Sequence, residues 1–265
     1  MKRIILVFLD FFFTREILLP FNTIMLKLFI RFIGYNNHRR LMYSKGEKMF
    51  LNKVCKDNPQ LCIDIGANRG EYSRYILDRS NSKVVAFEPM PKSFNVLKSL
   101  TKKYNKRFFA YNIGLGDKNE SKKLFFNHKN LEWANFDSEL RKIDYLKNSK
   151  KSIKCKISSL DEFVKKNKSL INKKIDLIKI DTEGYEFEVL MGSKKIIKKF
   201  KPKYIQLEYN WHHLFKNKNL YSFSKILQNY QAFRIFPYGD KLVKINPEKP
   251  ENNYFNYSNI VFIRK

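Results

Sequence analysis

Leu61-Cys62-Ile63-Asp64-Ile65-Gly66-Ala67-Asn68-Arg69-Gly70 is the stretch that decides the fold. A short apolar run, interrupted only by Asp64, ends in a glycine turn. The residues after it open a helix in which Tyr72, Tyr75 and Ile76 recur at i, i+3, i+4. Working outward, Lys83–Phe87 reads as a second strand ending at Glu88-Pro89. Phe94, Leu97 and Leu100 mark a second helix, and residues 108–112 a third strand. Ile175–Ile180 reads as a fourth strand, followed by a helix that begins with Phe187, Leu190 and Met191. Residues 203–207 give a fifth strand ending in Glu208, then a helix carrying Phe223, Ile226, Leu227 and Tyr230, then strands at 233–236 and 260–263. Such alternation predicts βαβ units and a parallel sheet. The polar stretch 117–157 predicts a β-hairpin between 124–126 and 153–157, and Ser159-Leu160-Asp161-Glu162 a capping box that opens a short helix.

At about 150 residues per domain, 265 residues permit one large domain with an appendage. The hydrophobic fraction of 43%, with 15% aromatics, excludes wholesale disorder. Lys and Arg total 53 against 25 Asp and Glu, a net +28 that invites a nucleic-acid or anionic-membrane reading. The excess is spread along the chain in pairs such as Lys102-Lys103 and Lys198-Lys199, which also fits plain solvated faces. Three cysteines without metal-ligand spacing support neither a disulfide framework nor zinc, and point to a reducing, cytoplasmic compartment.

Residues 1–33 differ from the rest in being rich in Ile, Leu and Phe, so the division expected is an N-terminal amphipathic helical segment over 1–45 and a catalytic domain over 46–265. Charges interrupt the apolar run and Pro20 breaks it, which disfavours a membrane-spanning helix, and no small-residue cleavage site follows. At a helical step of about 100°, Lys2, Arg3, Asp10, Glu16, Lys27 and Arg31 fall within an arc of roughly 140°, and only Arg15 lies outside it. Two readings stay open: a helix packed on the domain or on a second copy in a homo-oligomer, and a helix in the membrane interface on the inner face.

Ligands of open parallel sheets bind outside the carboxyl ends of the strands. There the first turn has a GxxxG spacing, Gly66 to Gly70, instead of the GxGxxG that admits a pyrophosphate. Glu88 lies 18 residues beyond Gly70 at the second strand end, where a carboxylate accepts hydrogen bonds from both hydroxyls of a ribose. A nucleoside ligand without a pyrophosphate fits, and S-adenosylmethionine meets that description.

The blocks Asp64 to Gly70, Phe87-Glu88-Pro89-Met90-Pro91, Asn112-Ile113-Gly114-Leu115-Gly116-Asp117 and Ile178 to Glu186 resemble the signature of the FkbM-type S-adenosylmethionine-dependent methyltransferases, in the right order. The resemblance covers roughly residues 60 to 210. It implies an α/β, Rossmann-like class I methyltransferase fold with a mostly parallel seven-stranded sheet and helices on both faces. It also implies, most often, O-methylation of a sugar or another hydroxyl on a natural product or surface glycan, as in polysaccharide biosynthesis. Carried over by position, Asp64, Gly66, Asn68 and Gly70 would surround the methionine moiety, Glu88 would hold the ribose, and Asn112 and Ile113 would border the adenine. Family members more often carry Ala where this chain has Gly114.

A hydroxyl acceptor needs a base or a metal. Asp181, after the fourth strand, is the leading candidate, joined by Glu208, His212 and His213 after the fifth. Asp181, Glu183 and Glu208 also make an oxygen set for Mg²⁺, while Glu183 and Glu186 suit a helix start equally well. The alternative functions are an RNA methyltransferase, a methyltransferase of another small-molecule hydroxyl and a non-catalytic scaffold. Against nucleic acid as a partner, the fourth strand is not followed by the Asn-Pro-Pro-Tyr or Asp-Pro-Pro-Tyr run of amino-methylating enzymes.

Overall fold

The computed structural model describes residues 2–35, 44–171 and 174–265. After two N-terminal helices, α1 (Lys2–Phe13) and α2 (Leu19–Phe32), and α3 (Lys45–Lys56), the chain enters a sandwich of helices around a sheet. Its strands are β1 (Leu61–Ile65), β2 (Lys83–Phe87) and β3 (Phe108–Tyr111). A smaller insertion follows with β4 (Gly114–Leu115), β5 (Glu120–Asn127), β6 (Asn130–Asn135) and β7 (Lys151–Ser158). The main sheet resumes with β8 (Ile175–Ile180), β9 (Tyr204–Tyr209), β10 (Tyr230–Ile235), β11 (Leu242–Lys244) and β12 (Ser258–Arg264).

The main sheet has the order β11-β10-β12-β9-β8-β1-β2-β3. The five strands β3, β2, β1, β8 and β9 are parallel, and β12 enters antiparallel beside β9. The sheet has eight strands against the seven expected, because the short β11 pairs antiparallel with the outer edge of β10. Only three residues long and half exposed, it has too little apolar periodicity to read as a strand.

Every residue of β1, β8 and β9 is buried, as expected of central parallel strands covered on both faces. One face packs against α3, α4 (Glu71–Arg79) and α5 (Pro91–Tyr104) through residues such as Phe50, Val54, Ile76 and Leu97. The other packs against α6 (Leu160–Lys166), α7 (Glu186–Met191), α8 (Lys194–Phe200) and, beyond α9 (His212–Phe215), α10 (Leu220–Ile226), through Phe163, Val189, Ile197 and Phe223. Strand order reverses between β1 and β8, so the crevice for a ligand opens at their carboxyl ends.

The insertion folds into a second sheet, β4-β7-β5-β6. The segments expected as a hairpin do pair, Leu124 opposite Ile153, but β6 intervenes in the chain and the hairpin partner of β5 is β6. Ser159 Oγ accepts from the Glu162 N–H at 3.2 Å, as in a capping box, while the Ser159 N–H goes to Asn119 Oδ1 at 3.3 Å. The N-terminal helices are divided by a 3-10 turn over Glu16–Leu18, with Pro20 in the first turn of α2, so a single continuous stripe of charge does not form.

Candidate active site

A cleft of about 410 Å³ opens at the carboxyl ends of β1, β2, β8 and β9, roofed by the insertion sheet. Gly66 makes the turn possible. Its φ is +77°, and a Cβ there would lie 1.7 Å from the Asp181 carbonyl oxygen, so β1 and β8 leave the sheet in contact. Both Gly66 and Ala67 donate backbone N–H bonds to Phe87 O at 3.0 Å, which ties this turn to the end of β2. Next to it, Glu88 accepts the N–H of Asn68 on Oε2 and that of Met90 on Oε1, each at 2.8 Å. Each oxygen keeps a second lone pair for a ligand hydroxyl. Burial pushes the Glu88 pKa up to about 7 against the pull of those two N–H groups.

The wall beyond Glu88 is apolar, formed by Ile113, Gly114, Leu115 and Phe136. A Cβ on Gly114 would lie 2.8 Å from Phe136 Cζ. The Phe136 ring, just beyond β6, thus fills the space that a side chain at Gly114 would need.

Gly66, Asn68, Glu88 and Ile113 therefore line the cleft, whereas Asp64, Gly70 and Asn112 do not. Asp64 lies beneath the floor, accepting Ser73 Oγ at 2.6 Å, with its Oδ1 3.6 Å from Lys179 Nζ. Gly70 turns away to pack on Leu97 and Leu100 of α5. Asn112 braces the Glu88 loop from behind, its Nδ2 donating to Glu88 O at 2.8 Å and Pro89 O at 3.1 Å.

Carboxylates make the opposite end. One oxygen each of Asp181, Glu183 and Glu208 lies within 4.8 Å of the others, the one cluster with metal-ligand potential among the described residues. Asp181 is the more open member, paired with Lys179 Nζ at 3.0 Å. Glu208 adjoins Asp181, and its Oε2 is buried without a hydrogen-bond partner. Burial, then the neighbouring carboxylates, hold Glu183 and Glu208 well above the usual carboxylate range. Burial opposes the Lys179 ammonium, but Asp181 and Asp64 outweigh it and hold that lysine above its ordinary value.

The loop carrying Asp181 and Glu183 is wound around a buried carboxylate. Glu186 accepts the N–H of Thr182 at 2.7 Å and that of Gly184 at 3.0 Å, and sits 3.0 Å from His213 Nε2. Burial works against that charge, yet the His213 contact and the backbone donors take the Glu186 pKa down to about 2. Gly184, at φ +98°, lets α9 approach so closely that a Cβ would meet His212 Cβ at 2.7 Å. His212 is fully buried behind Glu183 and does not line the cleft. Its Nε2 meets the Tyr145 hydroxyl at 2.8 Å and its Nδ1 lies 3.5 Å from Glu183 Oε2. That position suits holding Glu183 rather than taking a proton from a ligand.

Four polar residues not expected in the site from the sequence, Glu47, Tyr72, Lys179 and Gln206, complete the floor. Asp64, Lys179 and Gln206 stand in register across β1, β8 and β9, on the face covered by α3 and α4. Gln206 accepts from Tyr72 Oη at 2.5 Å and donates to Glu47 Oε1 at 2.8 Å. Glu47, Tyr72 and Lys179 line the cleft. A lysine and a glutamine inside otherwise apolar strands were the available signal, since buried polar side chains need partners.

Residues 64–235 match the methyltransferase FkbM domain. The chain belongs to this family. The FkbM match makes it an S-adenosylmethionine-dependent methyltransferase, and the cleft fits that group: Glu88 offers buried lone pairs beside a turn of close backbone, at the strand switch point. None of the curated proteins matches the chain. Solved structures that the chain matches include a precorrin-6y C5,15-methyltransferase from Geobacter metallireducens, 11% identical with TM-score 0.42, covering 87% of this chain and 95% of that one. Another, from Streptococcus mutans, is assigned as a methyltransferase and carries SAH; it is 11% identical with TM-score 0.46, over 86% of this chain and 100% of that one. An rRNA methylase of Streptococcus thermophilus is 12% identical with TM-score 0.43, over 86% and 99%.

Proposed function

We propose that this FkbM-domain protein methylates a hydroxyl of a sugar or surface glycan, in polysaccharide biosynthesis. The observation that carries the reading is the convergence of Asp181, Glu183 and Glu208 at the end of the cleft away from Glu88. S-adenosylmethionine supplies a methyl group on an activated sulfonium carbon, which leaves alignment and removal of the acceptor proton to the protein. Alignment is worth on the order of 7 to 11 kcal/mol and a positioned base about 10² to 10⁴-fold.

Gly66, Asn68, Glu88 and Ile113 hold the donor, Glu88 through the ribose hydroxyls. Asp181 receives the proton of the acceptor hydroxyl, held in orientation by Lys179 at 3.0 Å. Glu208, whose carboxyl burial holds above the usual carboxylate range, stands beside Asp181 in the same three-oxygen group. Trp133 and Tyr257 line the same cleft and offer ring faces to a sugar, whose hydroxyls the carboxylates accept.

A divalent cation such as Mg²⁺ is the second reading, favoured by the unpaired Glu208 Oε2 and the three-oxygen grouping. Asp181, Glu183 and Glu208 would hold it. A groove of about 1130 Å³ lined by Lys194, Lys198, Lys201, Lys218, Lys225 and Arg264 is the basic surface an RNA substrate would use. Arg264 bonds back to Lys203, just ahead of β9, so the groove lies at the end of the sheet opposite the cleft and does not lead a strand of RNA to Asp181.

The test is turnover with soluble sugar acceptors, with and without a chelator. Transfer that survives chelation supports direct proton uptake, and chelator-sensitive transfer supports the cation. Transfer to RNA with none to sugars overturns the acceptor assignment.

A further inference from the structure

α1 and α2 contain 12 and 14 residues, about 18 and 21 Å at 1.5 Å per residue, against a hydrocarbon core of about 30 Å. No helix among the described residues is long and apolar enough to cross a membrane. Yet the pair leaves Phe11, Phe13, Phe21, Phe29 and Phe32 between 48% and 68% exposed, and on α2 Ile30 is the apolar side chain that is buried. A water-soluble surface does not carry so many adjacent exposed aromatics without a partner.

The stem of this pair is firmly joined to the domain. Arg234 stacks on Tyr35, its guanidinium carbon 3.9 Å from the ring centre, and donates to Ile33 O at 3.3 Å and to the Tyr35 hydroxyl. Gly34 packs on the Phe236 ring, and Gly46 of α3 donates to Pro237 O at 2.9 Å. These contacts follow the end of β10, which runs in the same direction as β9. They are therefore at the carboxyl end of the sheet, where the cleft opens, and the residue after Gly46 is Glu47 of the cleft wall.

That end also bears the exposed Trp211 just ahead of α9, Leu214 and Phe215 of α9, and the exposed Trp133 of β6. A hollow of about 550 Å³ between α2 and the turn after β10 joins Arg31 and Lys241, with Asp240, to an apolar wall of Phe32, Phe236 and Tyr238. Cations beside an apolar wall suit a lipid phosphate over its acyl chain, and the net charge of +28 selects anionic lipid.

We propose that α1 and α2 lie in the interface of an anionic bilayer and thereby turn the cleft end of the protein toward the lipid surface. The test uses the full chain and vesicles of phosphatidylcholine with or without phosphatidylglycerol. Binding to the phosphatidylglycerol vesicles should be at least tenfold tighter and weaken with salt. The only two tryptophans, Trp133 and Trp211, both lie at the cleft end, so brominated lipid should quench the intrinsic fluorescence of the bound protein. A Phe21→Glu, Phe29→Glu, Phe32→Glu variant, altered only at exposed positions, should keep its circular dichroism and SAH affinity and lose at least tenfold in vesicle binding. A full chain that stays in the supernatant with both vesicle types, or self-associates in their place, overturns the docking. Binding without tryptophan quenching overturns the orientation. SAH affinity measured on the same preparation keeps failure of the methyltransferase reading separate from failure of this one.

Discussion

The two ends of the cleft are built from different parts of the chain. Around Gly66, Asn68 and Glu88 the work is done by backbone: a left-handed glycine, strand ends in register, and two N–H groups that fix one carboxylate at 2.8 Å. Around Asp181, Glu183 and Glu208 it is done by side chains, crowded within 4.8 Å and supported by Lys179 and by a loop wound on Glu186. A backbone-built site binds one shape and is set by the fold. A side-chain-built site can be altered residue by residue, which suits the proposed transfer to a particular acceptor.

The sharpest way to break this contrast is Asp181→Asn. Turnover should fall by about 10² or more while SAH affinity, read by calorimetry, stays within about tenfold. If both fall together, the two ends are not separable. Glu186→Ala removes the anchor of the acceptor loop and should cost about 3 kcal/mol of stability, read by denaturant titration. The folded pKa of Glu186, about 2, lies below its ordinary value of 4.5. Its contribution is therefore present above about pH 4.5 and lost as pH falls toward 2, so the wild type should lose its advantage over the variant in that window.

At the donor end, Glu88→Ala should weaken SAH binding by roughly 1.5 to 3 kcal/mol without abolishing turnover at saturating donor. With the Glu88 pKa near 7, the carboxylate proposed to accept the ribose is about a tenth populated at pH 6, so SAH affinity should fall about tenfold from pH 8 to pH 6. An affinity flat across that range would remove Glu88 from the ribose site. The smallest effect is expected of His212→Ala, which acts through Glu183: turnover should drop less than for Asp181→Asn, and the pH profile of turnover should move.

The donor end was legible in the sequence because it is local. Strand, glycine turn, helix and the acid at the next strand end recur at fixed spacing, which points to Gly66 and Glu88; Asn68 and Ile113 come from the resemblance to the family's blocks, and all four line the cleft. Asp64 and Gly70 belong to the same motif but support it from below, and spacing cannot tell a wall from a foundation. The acceptor end depends on contacts between β8, β9, α9 and the insertion sheet, far apart in sequence. Lys179 and Gln206 gave a signal only as polar residues inside buried strands, and the burial of His212 follows from the close approach at Gly184, which no periodicity encodes. The extra strand β11 escaped notice because three half-exposed residues at a sheet edge carry no pattern.

The most direct test is a crystal structure with SAH bound. The ribose hydroxyls should lie about 2.6 to 3.2 Å from the Glu88 carboxylate, with the sulfur directed along the cleft toward Asp181 and Glu208. SAH seated away from Glu88, or with its sulfur turned away from the carboxylates, would contradict the division of the cleft into a donor end and an acceptor end.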